Sequence, residues 1–425
     1  MLKLRRLHLE NFKGFVDTTI DFENNITCIA GINGAGKSSI LQALVKSLSL
    51  VANRASLTNK KEYTLKRDDI HTEETIFGKF NGTARIEANF SFNNNDYVTV
   101  NSIDFLGGKT TVSTNAPKIN FIENTELPMF AFYSATRKLD SMESLINKES
   151  AFSDPFYLYS ELNTQISDYK DFFNWFKTRE DIENERILYA QRYKNEGYEY
   201  DMQLETVRYV ISKFFGKKFR LRVSRTDNLL IVENGRSEIS FSNLSDGEKS
   251  VLLLIGDIAR RLAIVASFRM KDLPIKIEDI LNSNGIVLID EIELHLHPSW
   301  QRKIGGFLTE IFPNCQFIIT THSPQVLGEL QPQSLRLLDS FKISIPAQSF
   351  GLDTNSIIKS LMKNGNEDFS KNFYISKELE AISDLISKGK YLDAKEKLRA
   401  MDEKTHGSTP DSIELMAMLT TLYGV

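Results

Sequence analysis

The chain has 425 residues, of which 41% are hydrophobic, 10% aromatic and 25% charged, as is typical of a folded soluble protein with more than one domain. Its 52 basic and 56 acidic residues give a net charge of −4. The whole chain is therefore not a polycation, and any contact with nucleic acid would need a local basic patch.

The N-terminal region predicts a strand, a second strand that ends in a glycine loop, and a helix. Residues 2–9 alternate in part, and the apolar run 26–30 ends at Gly31, so both are predicted to be strands. From Lys37 onward, apolar residues fall on one helical face: Ile40, Leu41, Leu44, Val45 and Leu48. The N-terminus has no signal-peptide core, and no apolar run reaches the roughly 18–20 residues that span a bilayer. We therefore expect a cytoplasmic protein with no membrane partner.

The glycine loop has the sequence G-x-x-x-x-G-K-S from Gly31 to Ser38. Its glycines allow backbone N–H groups to surround phosphate oxygens, and the N-terminus of the next helix adds positive potential. Lys37 is expected to reach the β- and γ-phosphates of a nucleotide, and the Ser38 hydroxyl to bind Mg²⁺. The predicted nucleotide-binding residues are Asn33, Gly34, Ala35, Gly36, Lys37, Ser38 and Ser39.

The middle of the chain predicts a hairpin, a buried strand and a helical insertion. Residues 83–100 alternate apolar and polar about an Asn-rich turn, which predicts a hairpin. Residues 128–137 predict a buried strand. Residues 141–215 have helical spacing and few glycines but no sustained heptads, so we expect a compact helical insertion and no long coiled coil.

A predicted strand at residues 218–225, KFRLRVSR, alternates basic and apolar side chains. Lys218, Arg220 and Arg222 give it one basic face, and the stretch 213–225 contains no acidic residue. Such a face suits the phosphate backbone of nucleic acid. A solvated strand surface, or a contact with acidic residues of another subunit, would have the same pattern, and the sequence leaves these interpretations open.

A serine–glycine turn opens a helix predicted for residues 244–267. The turn consists of Leu244, Ser245, Asp246, Gly247 and Glu248. Its hydroxyl, its backbone N–H groups and the helix N-terminus together suit an anion. Turns of this kind are common, so its meaning depends on the other motifs.

The segment GIVLIDE, residues 285–291, predicts a buried strand with two acidic residues at its carboxyl end. Burying Asp290 and Glu291 there costs desolvation unless a cation and a substrate use them. We expect Asp290 to bind Mg²⁺, and Glu291 to orient and polarise the attacking water in phosphoryl transfer.

Three histidines follow the acidic pair. A helix is predicted at 298–311 and a strand at 315–321, and His322 comes directly after that strand, where a neutral imidazole could contact a γ-phosphate. His295 and His297 form an H-x-H pair that could chelate a metal, but no cysteine or third histidine accompanies them. We favour a role in positioning their loop across a subunit interface.

These motifs occur in the order found in the ABC ATPase head, and the sequence resembles the SMC/Rad50/RecF branch of that family. The motifs are the glycine loop, the LSDGEKS turn, the strand with the acidic pair and the strand with the histidine, and NFKGF at residues 11–15 is similar too. The resemblance covers residues 1–140 and 216–330. It implies an α/β P-loop NTPase fold, with a mixed sheet and flanking helices, a helical insertion and a helical C-terminal extension.

The resemblance also implies how the site works. Lys37, Glu291 and His322 would be catalytic, and the cofactors would be ATP and Mg²⁺. Ser245 and Gly247, with the N-terminus of their helix, would bind the ATP held by a second molecule. Two heads would then form a homodimer around two ATP·Mg²⁺.

One motif of the family departs from its usual form. The glutamine of the Q-loop is not visible at the end of the 128–137 strand, where the sequence is YSATR. Tyr133, Ser134 and Arg137 are the candidates for its role.

The C-terminal region resembles that of bacterial antiphage ATPases of the PtuA type, which occur in Septu systems and Septu-like retrons. The stretch 351–362 and the helices after it carry the similarity. The partner in that family is an HNH nuclease of the PtuB type. The predicted organisation is ATPase lobe I at 1–140, a helical insertion at 141–215, ATPase lobe II at 216–330, and a mostly helical oligomer- or partner-binding region at 331–425.

The preferred interpretation is an ATPase that dimerises head to head, within a higher homo-oligomer, and regulates an HNH nuclease. Two alternatives stay open. A RecF-like repair ATPase would bind DNA and have no nuclease partner. The same ATPase could instead gate another effector, such as a Toprim protein.

Overall fold

A computed structural model describes residues 1–55, 57, 63–71, 82–121, 127–135, 155–160, 162, 169–193, 200–235, 237–270, 274–362, 373–405 and 407–424. It divides into two compact units, Met1–Gly351 and Leu352–Val425. Within the described residues, no helix combines the length and the apolar character needed to cross a bilayer.

In the part of the chain that the structure describes, the strands lie in the first unit. They are β1 (Leu2–Phe12), β2 (Phe15–Asp21), β3 (Ile26–Gly31), β4 (Gly82–Phe92), β5 (Asn95–Leu106), β6 (Lys109–Asn115), β7 (Met129–Tyr133), β8 (Arg220–Ser224), β9 (Leu229–Glu233), β10 (Glu238–Ser240), β11 (Gly285–Ile289), β12 (Cys315–Thr321), β13 (Leu335–Asp339) and β14 (Lys342–Ser344). They form sheets of five, three and six strands.

Helices belong to both units. The first unit has α1 (Lys37–Arg54), α2 (Pro155–Ser160), α3 (Tyr169–Arg192), α4 (Met202–Phe215), α5 (Asp246–Arg269), α6 (Ile277–Leu281), α7 (Pro298–Ile311) and α8 (Pro324–Leu327), and the second has α9 (Thr354–Leu361), α10 (Phe373–Ser387), α11 (Tyr391–Lys404) and α12 (Pro410–Tyr423). The helices predicted after Lys37 and at 244–267 and 298–311 are confirmed as α1, α5 and α7.

The six-stranded sheet carries the predicted motifs. Its order is β14-β13-β3-β12-β11-β7, and all strands except β14 run parallel to their neighbours. β11 is buried along its whole length, as expected for an apolar parallel strand that is covered on both faces. Because parallel strands end at one edge, Gly31, Tyr133, Ile289 and Thr321 mark the same edge of the sheet. This arrangement confirms the predicted α/β P-loop fold.

The five-stranded sheet has the order β2-β1-β4-β5-β6 and is antiparallel. The hairpin predicted at 83–100 is confirmed as β4 and β5. Asn93 and Asn94 form its two-residue turn with φ angles of 50° and 63°. Two positive φ angles are those of a type I′ turn, in which asparagine is favoured.

Helix α1 packs its predicted apolar face into the core, since all five of those side chains are buried. Helix α5 is buried over most of its surface, including the run Val251–Ala266. A helix that is covered on nearly every side cannot move independently of its neighbours, because protein interiors are close-packed.

The described part of the predicted insertion contains α2, α3 and α4, and it is tied to the three-stranded sheet β10-β9-β8 by buried charge. Glu180 on α3 is 5% exposed. Its carboxylate accepts hydrogen bonds from Arg208 on α4, the backbone N–H of Val223 on β8, and Arg225. These bonds join two helices and a strand around one acidic side chain.

The second unit has its own small core, formed by Ile382, Ala394, Leu398, Met401 and Leu419. Strands β13 and β14 come before it and belong to the six-stranded sheet, although the predicted C-terminal region begins at residue 331. The four-part organisation of the chain stays a prediction.

Candidate active site

The glycine loop lies between β3 and α1 at the carboxyl edge of the six-stranded sheet. Gly34 and Gly36 have φ angles of 80° and 104°, in the left-handed region that favours glycine. A Cβ on Gly36 would also lie about 3 Å from the rings of Phe15 and Phe341. The predicted residues Asn33–Ser39 therefore form a loop whose conformation and close packing both require glycine, followed by the first turn of a long helix.

Lys37 is 6% exposed, and its ammonium group lies at the centre of the edge. Nζ donates hydrogen bonds to the carbonyl oxygens of Gly31 (2.8 Å) and Ile32 (3.0 Å) and lies 3.4 Å from Nδ1 of His322. Burial lowers the pKa of Lys37, while nearby carboxylates, with Asp290 the foremost, act in the opposite direction. The structure thus brings the predicted lysine, acidic residues and histidine together.

Thr320 on β12 holds the acidic pair in place. Its hydroxyl donates to Oδ1 of Asp290 (2.6 Å) and accepts from the backbone N–H of Glu291 (2.8 Å). The backbone N–H of Asp290 also donates to the carbonyl oxygen of Tyr133 on β7 (2.8 Å). Asp290 is therefore fixed from the strands on both sides of β11.

The oxygen atoms at this edge suit Mg²⁺. Ser38 offers a hydroxyl in the first turn of α1, and Asp290 offers a carboxylate that is 6% exposed. Hard oxygen ligands of this kind, few in number and completed by water and phosphate oxygens, are those Mg²⁺ prefers at nucleotide sites. The residues present therefore fit the ion that the sequence implies.

Glu291 has a φ angle of 47°, which is unusual for a residue other than glycine. Such a conformation costs on the order of 1–2 kcal/mol, and strained residues of this kind cluster at functional sites. Its side chain is 34% exposed, and Oε1 lies 4.0 Å from Nε2 of His322. The backbone turns the carboxylate out of the buried strand toward the same open edge as His322.

Glu293 is a site residue that the sequence analysis missed. Its carboxylate accepts hydrogen bonds from the Thr321 hydroxyl (2.8 Å) and the backbone N–H of His322. It thereby fixes the end of β12 to the loop after β11. The sequence does contain a signal for Glu293, which is its place in the acidic run D-E-I-E. Thr320 has no such signal, because only the register of β11 and β12 brings it to Asp290.

The serine–glycine turn begins α5 with a capping box. The Ser245 hydroxyl accepts from the backbone N–H of Glu248 (3.3 Å), and the Glu248 carboxylate accepts from the backbone N–H (2.9 Å) and hydroxyl (2.8 Å) of Ser245. Ser245 and Asp246 are exposed, whereas Leu244 is buried. The turn therefore presents the helix N-terminus on the surface.

Gly247 brings this turn against the loop that follows the acidic pair. A Cβ at Gly247 would lie 2.5 Å from the carbonyl oxygen of His295. Any larger residue would push the two segments apart, so glycine is needed for close approach. The two segments consequently form one continuous surface.

His297 caps α7 and so has a structural role. Its Nδ1 accepts from the backbone N–H of Ser299, and Pro298 follows as the first residue of the helix. His295 has a φ angle of 65° in the preceding turn. In the described ranges, no group of three His, Cys, Asp or Glu side chains is placed to hold a metal ion.

One residue of the predicted basic face of β8, Arg222, is engaged within the chain. Arg222 forms ion pairs with Glu233 on β9 and Glu238 on β10. The stem of Lys218 packs against Gly235, and Arg220 is exposed. The acidic residues that meet this face come from the chain's own neighbouring strands, and a nucleic-acid role for the face stays a prediction.

The chain is similar to known ATPases in sequence and in structure. The family model described as "AAA domain, putative AbiEii toxin, Type IV TA system" matches residues 26–328. The Retron Vc95 probable ATPase of Vibrio cholerae serotype O1 biovar El Tor is 28% identical, over 88% of this chain and 86% of the relative. The Septu protein PtuA of Bacillus thuringiensis is 27% identical, over 77% and 73%. The SMC head domain from Thermotoga maritima is similar in structure with a TM-score of 0.44 and 18% identity, covering 81% of this chain and all of that one.

Proposed function

The chain belongs to the AAA-domain family described as putative AbiEii toxin, Type IV TA system, and on this basis we propose that it hydrolyses ATP at the carboxyl edge of its six-stranded sheet. The resemblance to PtuA-type and retron ATPases is confirmed by relatives that match most of the chain. The chain is an ATPase, and its sequence relatives include a Rad50 ATPase that matches 32% of the chain, which supports the SMC/Rad50-like class. The observation that carries the proposal is the convergence of Lys37, Asp290, Glu291 and His322 at one edge.

The residues of this edge have separate tasks. Backbone N–H groups of the glycine loop and Lys37 bind the phosphates, and Lys37 exchanges its two carbonyl acceptors for phosphate oxygens. Glu291 orients a water molecule toward the γ-phosphorus and accepts its proton as the water oxygen attacks, while the bond to the bridging oxygen breaks and ADP leaves. His322, directly after the neighbouring strand β12, hydrogen-bonds the γ-phosphate. Ser38 and Asp290 would hold Mg²⁺, which neutralises charge on the phosphates when it is bound.

A second molecule completes the site. Ser245 and the N-terminus of α5 bind the γ-phosphate of ATP on the other head, and the adjoining loop at His295 follows the same interface. Two observations support this assignment. The turn is exposed at the start of a 24-residue helix, and Gly247 holds it flush with the loop that follows Glu291.

Replacement of Glu291 by Gln tests the hydrolytic assignment. It removes the proton acceptor but keeps the size of the side chain, so kcat should fall by about a hundredfold or more while ATP binding persists. The protein should then accumulate as an ATP-bound dimer in size-exclusion chromatography. Glu310→Gln, on the exposed side of α7, is the matched control and should behave as wild type. Wild-type turnover in Glu291→Gln would refute the role of Glu291.

The ATPase acts in a prokaryotic antiphage defence complex and regulates an associated HNH nuclease. The similarity to Septu PtuA and to a retron ATPase over most of the chain supports this proposal. Affinity purification from the native host, followed by native mass determination, tests it. A small protein with HNH-type residues should co-elute in a fixed ratio, whereas elution of the chain alone or with DNA would count against the nuclease.

A further inference from the structure

A buried polar cluster lies directly behind the active site. Asp257 on α5 is 2% exposed, and its carboxylate accepts hydrogen bonds from Nε of Arg260 (2.7 Å), Nε of Arg261 (2.7 Å) and the hydroxyl of Tyr133 (2.9 Å). Tyr133 is itself 2% exposed, and both arginines are buried. Four polar side chains are thus gathered in the core of the first unit.

Tyr133 is the residue that joins this cluster to the active site. It is the last residue of β7, and its carbonyl oxygen accepts the backbone N–H of Asp290 at 2.8 Å. Its hydroxyl reaches in the other direction, to Asp257. One residue therefore contacts both the proposed magnesium ligand and helix α5, which Ser245 caps.

Helix α5 can carry a displacement from its exposed end to Asp257. The helix is continuous from Asp246 to Arg269 and is packed on nearly every side. A packed helix moves as a unit, because its backbone hydrogen bonds and close contacts resist local deformation. A shift at Ser245 must therefore be felt at Asp257, about three turns along the helix.

We propose that Tyr133 is a positioning residue. It couples the binding of the α5 N-terminus to ATP on the other head with the position of Asp290 in the active site of its own chain. The proposal rests on the proposed function, since it assumes ATP at both places. The Tyr133 hydroxyl sets the distance between β7 and α5, and its carbonyl oxygen fixes the backbone at Asp290. When Ser245 and α5 of one chain bind the ATP on the other head, ATP hydrolysis in the active site of that first chain is thereby affected.

The charge of Asp257 does not by itself require the Tyr133 hydroxyl. Two guanidinium groups already contact the carboxylate, one at each oxygen. Loss of the hydroxyl would therefore leave the buried charge neutralised, and Tyr133→Phe should fold. This makes a test by a single-atom deletion feasible.

Tyr159 supplies a matched control at the other end of the same strand. It is also 2% exposed, and its hydroxyl donates to the carbonyl oxygen of Pro128 at 2.7 Å, just before β7 begins. Tyr159→Phe and Tyr133→Phe each remove one buried hydrogen bond beside β7. The two variants should lower the unfolding midpoint to a similar extent.

Steady-state ATP hydrolysis separates positioning from stability. Tyr133→Phe should lower kcat by about tenfold, with the KM for ATP unchanged, which is within the usual range of coupling between sites. Tyr159→Phe should keep the wild-type kcat. Equal kcat values for the two variants, or a rise in KM with no change in kcat, would overturn the coupling role.

A double-variant cycle with Ser245→Ala gives a second measure. If Tyr133 transmits the contact made at Ser245, Tyr133→Phe should lower kcat little further in the Ser245→Ala background. Independent, additive losses of kcat would show that Tyr133 does not transmit the contact made at Ser245, and would overturn the coupling. Glu291→Gln and Ser245→Ala test the proposed function directly. Full wild-type ATP hydrolysis in those variants would refute the proposed function, and not only the role of Tyr133.

Discussion

Asp257 and Asp290 are both buried aspartates of the first unit, but their surroundings differ. Asp257 lies between Arg260 and Arg261, whereas Asp290 receives a hydroxyl from Thr320 and has Lys37 nearby. The guanidinium pair neutralises Asp257 within the core. The carboxylate of Asp290 lies at the carboxyl edge of the sheet, where its oxygen atoms can bind an incoming cation.

The difference in partners indicates a difference in purpose. Burial alone would raise the pKa of Asp257, but the charges of Arg260 and Arg261 and the hydrogen bonds from Arg261 and Tyr133 hold that pKa well below its usual range. Such a residue is built to stay ionised and to hold a core together. A catalytic edge instead leaves part of its charge for substrate and cation.

The largest effects are expected when each carboxylate is removed, because the Asp257 variant should lose stability and the Asp290 variant should lose activity. Asp257→Ala would leave two buried guanidinium groups without their carboxylate, so the free energy of unfolding should fall by about 3–5 kcal/mol. Asp290→Ala should cost far less stability but abolish ATP hydrolysis. Urea unfolding and ATPase assays on both variants measure the two effects. Similar stability losses would contradict the distinction drawn between them.

The second largest effect is expected in the loss of folding stability at acid pH, which should further separate Asp257 from Asp290. The folded-state pKa of Asp257 lies below that of the unfolded chain, about 3.9, so its contribution is complete above that value and is lost as the pH falls below it. Between the two pKa values the unfolded state binds one more proton, and stability falls by up to about 1.4 kcal/mol per pH unit. Urea unfolding from pH 6 to pH 3 should show a shallower decline in Asp257→Asn than in wild type. Parallel declines would remove Asp257 as a source of acid sensitivity.

The smallest effect is expected for Arg222 on strand β8, whose charge is paired at the surface. The Arg222 side chain is 38% exposed and paired with two glutamates, so Arg222→Gln should change the free energy of unfolding by less than about 1 kcal/mol. If duplex DNA binds this face, Arg220→Gln should reduce the salt dependence of binding by about one ion, and Arg222→Gln by less. Fluorescence anisotropy over a series of salt concentrations measures both, and equal losses would mean that the glutamates do not neutralise Arg222.

The sequence allowed the elements and the main site residues to be predicted because their signals are local. The glycine spacing of Gly31–Ser38 and the apolar run before Asp290 lie within a few residues of one another. The Asn-rich hairpin turn is similarly local, and its positive φ angles follow from residue type. Each of these features could be recognised without knowing what lies beside it in space.

The supporting residues could not be predicted because their partners are distant in the chain. Thr320 and Asp257 have no motif of their own, and the hydrogen bonds of Thr320, Asp257 and Glu293 appear only when the strand register and helix packing are known. The pairing of Arg222 on β8 could not be predicted for the same reason, since its acidic partners Glu233 and Glu238 lie on the next two strands. Local charge counting cannot see a partner supplied by a neighbouring strand.

The position of β3 in its sheet has a consequence for synthesis of the protein. β3 leads directly into the glycine loop, yet both of its neighbours, β12 and β13, come from the last part of the first unit. During translation the nucleotide loop emerges early but has no strand on either side until nearly the whole unit has left the ribosome. Nascent chains, or chains truncated before Cys315, therefore carry an unpaired apolar strand and no ATP site. Long-range pairing of this kind is slow to form, so binding competence should arrive late and all at once.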